Sequence, residues 1–173
     1  MEFFDTIKER KSIRRYKNKP IEENKIRKIL NAVNLAPSAG DLQAYEVVLV
    51  SSKEVKEKLT NAAYGQKSIS IASIVFVFLA NPKRSSVKYG ERGNRLYCIQ
   101  DATIASAYTQ LAAADLGLSS VWIGAFDDNA VLEAINAPKN LVPVSIIPIG
   151  YPDERPKRTQ RRKLDDLVHK ERY

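Results

Sequence analysis

Arg10-Lys11-Ser12-Ile13-Arg14-Arg15-Tyr16 puts four cations and a serine within six residues, with no acid between them. Arg10, Ser12 and Arg14 alternate along the chain. In extended backbone, alternate side chains share a face, because the strand repeat is two residues. Two guanidinium forks and a hydroxyl converging on one point suit a phosphate monoester, gripped through charge-assisted hydrogen bonds. The plainer alternative is a solvated basic turn, the common setting of a charge run. What flanks the stretch weighs between the two.

Upstream, residues 2–11 predict a short helix with Phe3, Phe4 and Ile7 on one face and Lys8 and Glu9 off it. Downstream, Pro20 is placed to open a second helix, with Glu22 and Glu23 in the first turn, where the helix dipole favours acids. Ile26, Ile29, Leu30 and Val33 give its buried stripe, and Pro37 ends it. The basic stretch thus lies between two packed helices, which counts against a loose arm. Residues 1–28 hold ten Lys/Arg against five Asp/Glu, 153–173 hold eight against five, and 29–152 hold ten of each, so the two ends carry the whole net charge of +8. Either both ends fold onto one anionic ligand, or both are basic arms for nucleic acid or a membrane surface.

The length of 173 residues fits one domain, 1–173, and 44% hydrophobic content supports a real core. Residues 36–45 form a small, polar, turn-forming connection. Such a stretch lets a ligand approach the backbone, and it equally suits an ordinary helix-to-strand loop. A strand follows over 46–51, then a helix over 53–63 with Val55, Leu59 and Ala62 inward, broken at Gly65-Gln66. Ile74–Ala80 reads as a buried strand, and residues 81–96, with Pro82, Gly90 and Gly93, as a loop lining or covering a site. The longest helix spans 97–116, Ala-rich, with Asp101 in its first turn and Gly117 as its stop. Being apolar nearly all round, it should be buried. A short strand over 119–123 precedes a helix capped by Asp127, and a strand over 141–149 carries two prolines that predict an edge or irregular position. In the tail, Leu164, Leu167 and Val168 are expected to anchor the end on the body. The order is that of an α+β domain. Its few short strands cannot cover the long apolar helix in one chain, so a homodimer is expected.

Many chemistries lack their residues. His169, the sole histidine, sits in a charged tail, so neither a Ser-His-Asp set nor a histidine metal site is expected. Cys98, the sole cysteine, lies in an apolar setting and reads as a small hydrophobe, which suits a reducing, cytoplasmic compartment. The first residues show no signal-peptide pattern, and the longest apolar run is too short to span a bilayer. Neither G-x-x-x-x-G-K-[ST] nor G-x-G-x-x-G occurs, and helix capping accounts for Asp127-Asp128 better than a metal does. With no catalytic side chain and no metal expected, any enzyme chemistry here would be carried by a cofactor.

Four motifs in order carry a resemblance: R-K-S-I-R-R-Y (10–16), A-P-S-A-G-D-L-Q-A-Y (36–45), D-L-G-L-S-S-V-W-I-G-A-F-D (115–127) and I-G-Y-P-D-E-R-P-K-R (149–158). Together they resemble the nitroreductase family of FMN-dependent oxidoreductases, over Phe4 to about Val168, as a short, compact member. The resemblance implies a central, mostly antiparallel sheet flanked by helices, and an intertwined homodimer with tightly bound FMN at the subunit interface. Arg10, Ser12 and Arg14 match positions on the FMN phosphate and ribityl chain, and Lys11 an adjacent one. Pro37, Ser38 and Ala39 match the loop that the other subunit lays against the flavin ring. Asp41 stands where the family usually has Asn, which removes an amide donor and leaves Asp41 to face substrate or solvent. Gln43 follows the pattern, and Gln66 is similar to a residue that bonds the pyrimidine edge. Ile123, Gly124 and Ala125 match the backbone turn over the ring, with an amide near Ala125 at flavin N5. Arg161 best fits the C-terminal phosphate-binding position, with Arg162 and Arg158 as alternatives. The implied activity passes hydride from NADH or NADPH through the flavin to a small-molecule acceptor, a nitroaromatic or quinone, by ping-pong kinetics. The two basic ends would then converge on one phosphate, with no nucleic acid and no membrane as partner.

Two rivals stand beside it. A basic nucleic-acid-binding module would need Tyr16, Tyr89 or Tyr173 exposed for base stacking. A flavin-binding protein without NAD(P)H turnover would share the site but not the reaction.

Overall fold

The computed structural model describes residues 2–173. One antiparallel sheet organises them, in the strand order β1-β2-β4-β3. Its strands are β1 (Tyr45–Val50), β2 (Ile74–Ala80), β3 (Ser119–Ser120) and β4 (Val142–Gly150). The unbroken β-branched and aromatic run of β2 is buried throughout, as a strand covered on both faces must be. Its alternate residues serve opposite layers. Val75, Val77 and Leu79 pack with Leu59 of α3 (Lys53–Ala62) and Val131 of α7 (Asp128–Ala134). Ile74, Phe76 and Phe78 meet Ile29 and Val33 of α2 (Glu23–Asn34) and Ala105 and Ala113 of α6 (Cys98–Asp115). The result is the expected α+β arrangement, a sheet between helical layers. The remaining helices are α1 (Phe3–Glu9), α4 (Ser68–Ile71) and α5 (Pro82–Arg92).

The long helix α6 stops where glycine predicts. Gly117 takes φ +73, Leu118 N donates to Ala113 O and Gly117 N to Ala114 O, the paired bonds of a Schellman end. The helix is less uniformly apolar than expected. Ser106 Oγ lies 2.7 Å from Ser145 Oγ of β4, and Gln110 Nε2 donates to Ser120 Oγ of β3 (3.2 Å), both inside the core. These buried polar pairs tie α6 to β4 and β3.

Four expectations are corrected. Residues 81–96 are helical, in α5 and a π-turn over Gly93–Tyr97. Pro82 opens the first helical turn, Asn81 caps it by accepting from Arg84 N, and Gly90 (φ +53) kinks the helix without ending it. Strand β4 is central, between β2 and β3, so of the two expected placements the edge is overturned and the irregular strand holds. Its first proline, Pro143, sits at a bulge where the partner register jumps from Phe78↔Ser145 to Leu79↔Pro143. Ile146 exchanges backbone bonds with Ile123 on the β3 side. By alternation Pro148 turns its missing N–H to that same side, beyond the two residues of β3. The second helix begins at Glu23, three residues after Pro20; there Tyr151 Oη donates to the Glu22 carboxylate (2.5 Å), a bond that leads in pulling the Glu22 carboxyl down to about 2. Finally, the apolar face of α1 and the tail anchors lie exposed: Phe3 is 61% and Phe4 72% exposed, and Leu164, Leu167 and Val168 are likewise open.

Candidate functional site

Residues 10–16 run extended beside the sheet. Ser12 bridges Ser120 in parallel and Tyr16 bridges Pro152 in antiparallel fashion, with Ile13 N donating to Ser120 O (3.0 Å) and Lys17 N to Tyr151 O (2.9 Å). Burial does not keep the strict alternation expected of the stretch: Ile13 and Tyr16, three residues apart, point into the core, while Ser12, Arg14 and Arg15 are exposed. A residue that the sequence reading missed ties the stretch down from behind. Glu154 Oε1 accepts from Arg14 N (2.5 Å) and Arg15 N (3.3 Å). Tyr16 Oη donates to Ile13 O (2.6 Å), with Pro148 O a second acceptor at 3.1 Å. Burial first, then the nearby Glu154 charge, push the Tyr16 phenol well above its ordinary pKa, against an opposing effect of Arg14. Its ring lies on Gly150, where a Cβ would stand 2.9 Å from Tyr16 Cβ, Cγ and Cδ1.

Arg10, half-buried at the end of α1, has its guanidinium pKa lowered by burial and then by the charges of Arg161 and Arg158. The basic start of the chain and the basic tail therefore repel each other here. Among the described residues, none of Arg10, Arg14, Arg158 and Arg161 is in an ion pair with a carboxylate. Arg162 is turned away, donating to Asp166 O within the tail. A cavity of about 200 Å³ adjoins Arg10 and Lys11, lined also by Glu9, Gln110, Ser120 and Pro152. A phosphate dianion would convert the mutual repulsion of these guanidinium groups into attraction, so the donor set fits the FMN phosphate. A larger cavity, about 610 Å³, opens past the other end of the stretch among Lys17, Lys19, Lys53 and Lys56, away from the predicted site residues.

The other predicted residues fall into two groups. Gln66 Nε2 donates to Ala125 O (3.1 Å), which joins it to the turn Ile123-Gly124-Ala125; Ile123 is buried and the next two residues are exposed. Pro37, Ser38 and Ala39 lead into a short helical turn, Ala39–Asp41, at the opposite end of α6. Ala39 N donates to Asp101 Oδ1 (2.9 Å) and Ala44 N to Asp101 Oδ2 (3.3 Å). Gly40, Asp41 and Gln43 all have positive φ. Asp41 is exposed, whereas the Gln43 side chain is turned to α2, donating to Asn34 O (3.0 Å). Helix α5 covers this loop: a Cβ on Gly40 would stand 2.4 Å from Tyr89 Oη and 2.7 Å from Lys88 Nζ.

Asp101 at one end of α6 and Ala114, which lines the Arg10 cavity, are separated by thirteen residues of helix, roughly 20 Å at 1.5 Å per residue. The loop over residues 37–44 and the cavity beside Arg10 thus sit toward opposite ends of α6.

With that geometry in place, the comparisons are specific. The model of the Nitroreductase family matches residues 7–151. A relative from Archaeoglobus fulgidus, provisionally named NADH dehydrogenase/NAD(P)H nitroreductase, is 32% identical over 170 residues, covering 95% of this chain and 94% of that one. The FMN reductase [NAD(P)H] of Bacillus subtilis is 31% identical over 185 residues, covering 99% of this chain and 74% of its own length. The structure is similar to that of the NADPH:FMN oxidoreductase from Vibrio harveyi complexed with NAD+, with a TM-score of 0.91 at 26% identity over 99% of this chain and 77% of that one. The chain belongs to the nitroreductase family.

Proposed function

We infer that the chain is an FMN-dependent oxidoreductase that draws hydride from NADH or NADPH. Family membership and the FMN and NAD(P)H chemistry named for its relatives support this. The observation that carries the site is the cavity shared by half-buried Arg10, Lys11 and Ser120, with the charges of Arg158 and Arg161 acting on Arg10 and, among the described residues, no carboxylate ion pair on any of the three arginines. Arg10, Arg14 and Arg161, with Arg158 beside them, neutralise the FMN phosphate; Ser12 adds a hydroxyl donor and Lys11 an adjacent charge. Gln66 and the 123–125 turn hold the ring edge, with the Ala125 amide near N5. When bound, FMN supplies the ring that links the nicotinamide to an oxidised acceptor, a nitroaromatic or quinone.

The functional unit is a homodimer. The separation of the ring-facing loop from the phosphate cluster supports it, because a second copy can bring its Pro37–Ala39 segment to the first copy's cations. The exposed Phe3, Phe4, Leu164, Leu167 and Val168 supply apolar surface for that association. The nucleic-acid rival keeps only Tyr173 of its three stacking residues exposed, since Tyr16 is buried and Tyr89 packs edge-on against Tyr97 with ring centroids 5.1 Å apart. Among the described residues no helix is long and apolar enough to cross a membrane, and buried, unpaired Cys98 fits a cytoplasmic enzyme.

One slot serves donor and acceptor in turn, with no side chain required as an acid or base. Initial-rate plots at several acceptor concentrations should therefore be parallel. Plots that intersect would contradict the single slot.

A further inference from the structure

We propose that Asp101 is the positioning residue of the ring-facing loop, acting through the backbone amides of Ala39 and Ala44. This rests on the FMN reading, in which that loop lies against the flavin ring of the neighbouring subunit. Asp101 is 2% exposed, and a carboxylate so deeply placed is costly unless hydrogen bonds satisfy it. Its two oxygens take two amides that bracket the loop: Ala39 N on Oδ1 at 2.9 Å and Ala44 N on Oδ2 at 3.3 Å. Between those amides, Gly40, Asp41 and Gln43 hold φ of +58, +57 and +47. Backbone in that region persists only where the surroundings hold it. Arg84 Nε on Leu42 O and the Tyr89 hydroxyl above Gly40 bear on the loop from α5, but only Asp101 clamps both its ends to the rigid α6. An ionised carboxylate offers acceptors alone, which is what two converging N–H groups require; an Asn in the same place must turn its NH₂ toward one of them.

Asp101→Asn therefore loosens the loop with almost no change of shape. Ser106→Ala, which removes another buried hydroxyl contact from the same helix, is the control for general loosening of α6. With the FMN-loaded protein, hydrogen exchange at the Ala39 and Ala44 amides should be at least tenfold faster in D101N and unchanged in S106A. Quenching of bound-FMN fluorescence by iodide should rise at least twofold in D101N alone. The wild type gives a check that needs no variant: both amides should exchange as slowly as those of β2, and fast exchange there overturns the proposal. So does equal acceleration in both variants, or accelerated exchange in D101N with unchanged quenching. A wild type that retains no FMN defeats the flavin reading and the ring-facing role together. FMN retained at one per chain with unaltered exchange in D101N defeats the role of Asp101 alone.

Discussion

Arg10→Ala is expected to weaken FMN binding by about 10- to 100-fold and to leave riboflavin binding within about twofold of the wild type. The magnitude is that of one hydrogen bond to a charged group, about 1.5–3 kcal/mol, at tenfold per 1.4 kcal/mol. The contrast follows because Arg10 lines a cavity beside Lys11, feels the charges of Arg161 and Arg158, and only the phosphate distinguishes FMN from riboflavin. In the empty protein those cations disfavour one another, so the variant without FMN should be at least as stable as the wild type. Fluorescence titration of the apoprotein with each flavin checks the first part, and a thermal melt without flavin checks the second. Equal loss of both flavins, or a less stable apoprotein, would mean that Arg10 holds the fold rather than the phosphate.

Gly150→Ala should destabilise the flavin-free protein by about 1–3 kcal/mol, the usual cost of overpacking a tight contact. At this chain length that is roughly 2–4 °C in Tm for each kcal/mol. The new methyl group would stand 2.9 Å from three atoms of Tyr16. Tyr16 cannot swing clear without losing its bonds to Ile13 O (2.6 Å) and Pro148 O (3.1 Å). The strain falls on the strand that displays Ser12 and Arg14, so FMN affinity should drop with stability. A double-mutant cycle isolates the contact: in a Tyr16→Gly background, which removes Cβ, Cγ and Cδ1 together, Gly150→Ala should cost close to nothing. A full penalty there would place the clash elsewhere.

The parts of this molecule that were legible in the sequence are those whose signal is local. Strand β2 was read to the residue, because Ile74–Ala80 is one uninterrupted apolar run between polar flanks. The Asp127 cap and the Gly117 stop were read from side chains acting within a turn of their own position. The exposure of Ser12 and Arg14 was legible from their polarity, but the period of two was not kept, because Tyr16 on the same parity turns into the core and Arg15 on the other stays exposed. Helix α5 was missed because Pro82, Gly90 and Gly93 read as breakers, whereas the proline sits in the one turn that tolerates it. The prolines of β4 suggested an edge or an irregular strand, and the second holds: a bulge and a two-residue neighbour absorb them in the middle of the sheet. In the site itself, Glu154 and Asp101 left no trace in the sequence. Each acts on backbone amides, across 140 and 62 residues of chain respectively, and no periodicity records such a contact. The bond from the Gln43 side chain to Asn34 O likewise had no local signal in the sequence.

The most direct test of the central claim is the visible absorption spectrum of the protein loaded with FMN and desalted, recorded anaerobically before and after addition of NADH or NADPH. A flavin band near one equivalent per chain, bleached by the nicotinamide and restored by a quinone, is the predicted result. A chain that retains no flavin after loading would contradict the phosphate site built by Arg10, Ser12, Arg14 and Arg161, and a retained band that neither nicotinamide bleaches would contradict the oxidoreductase.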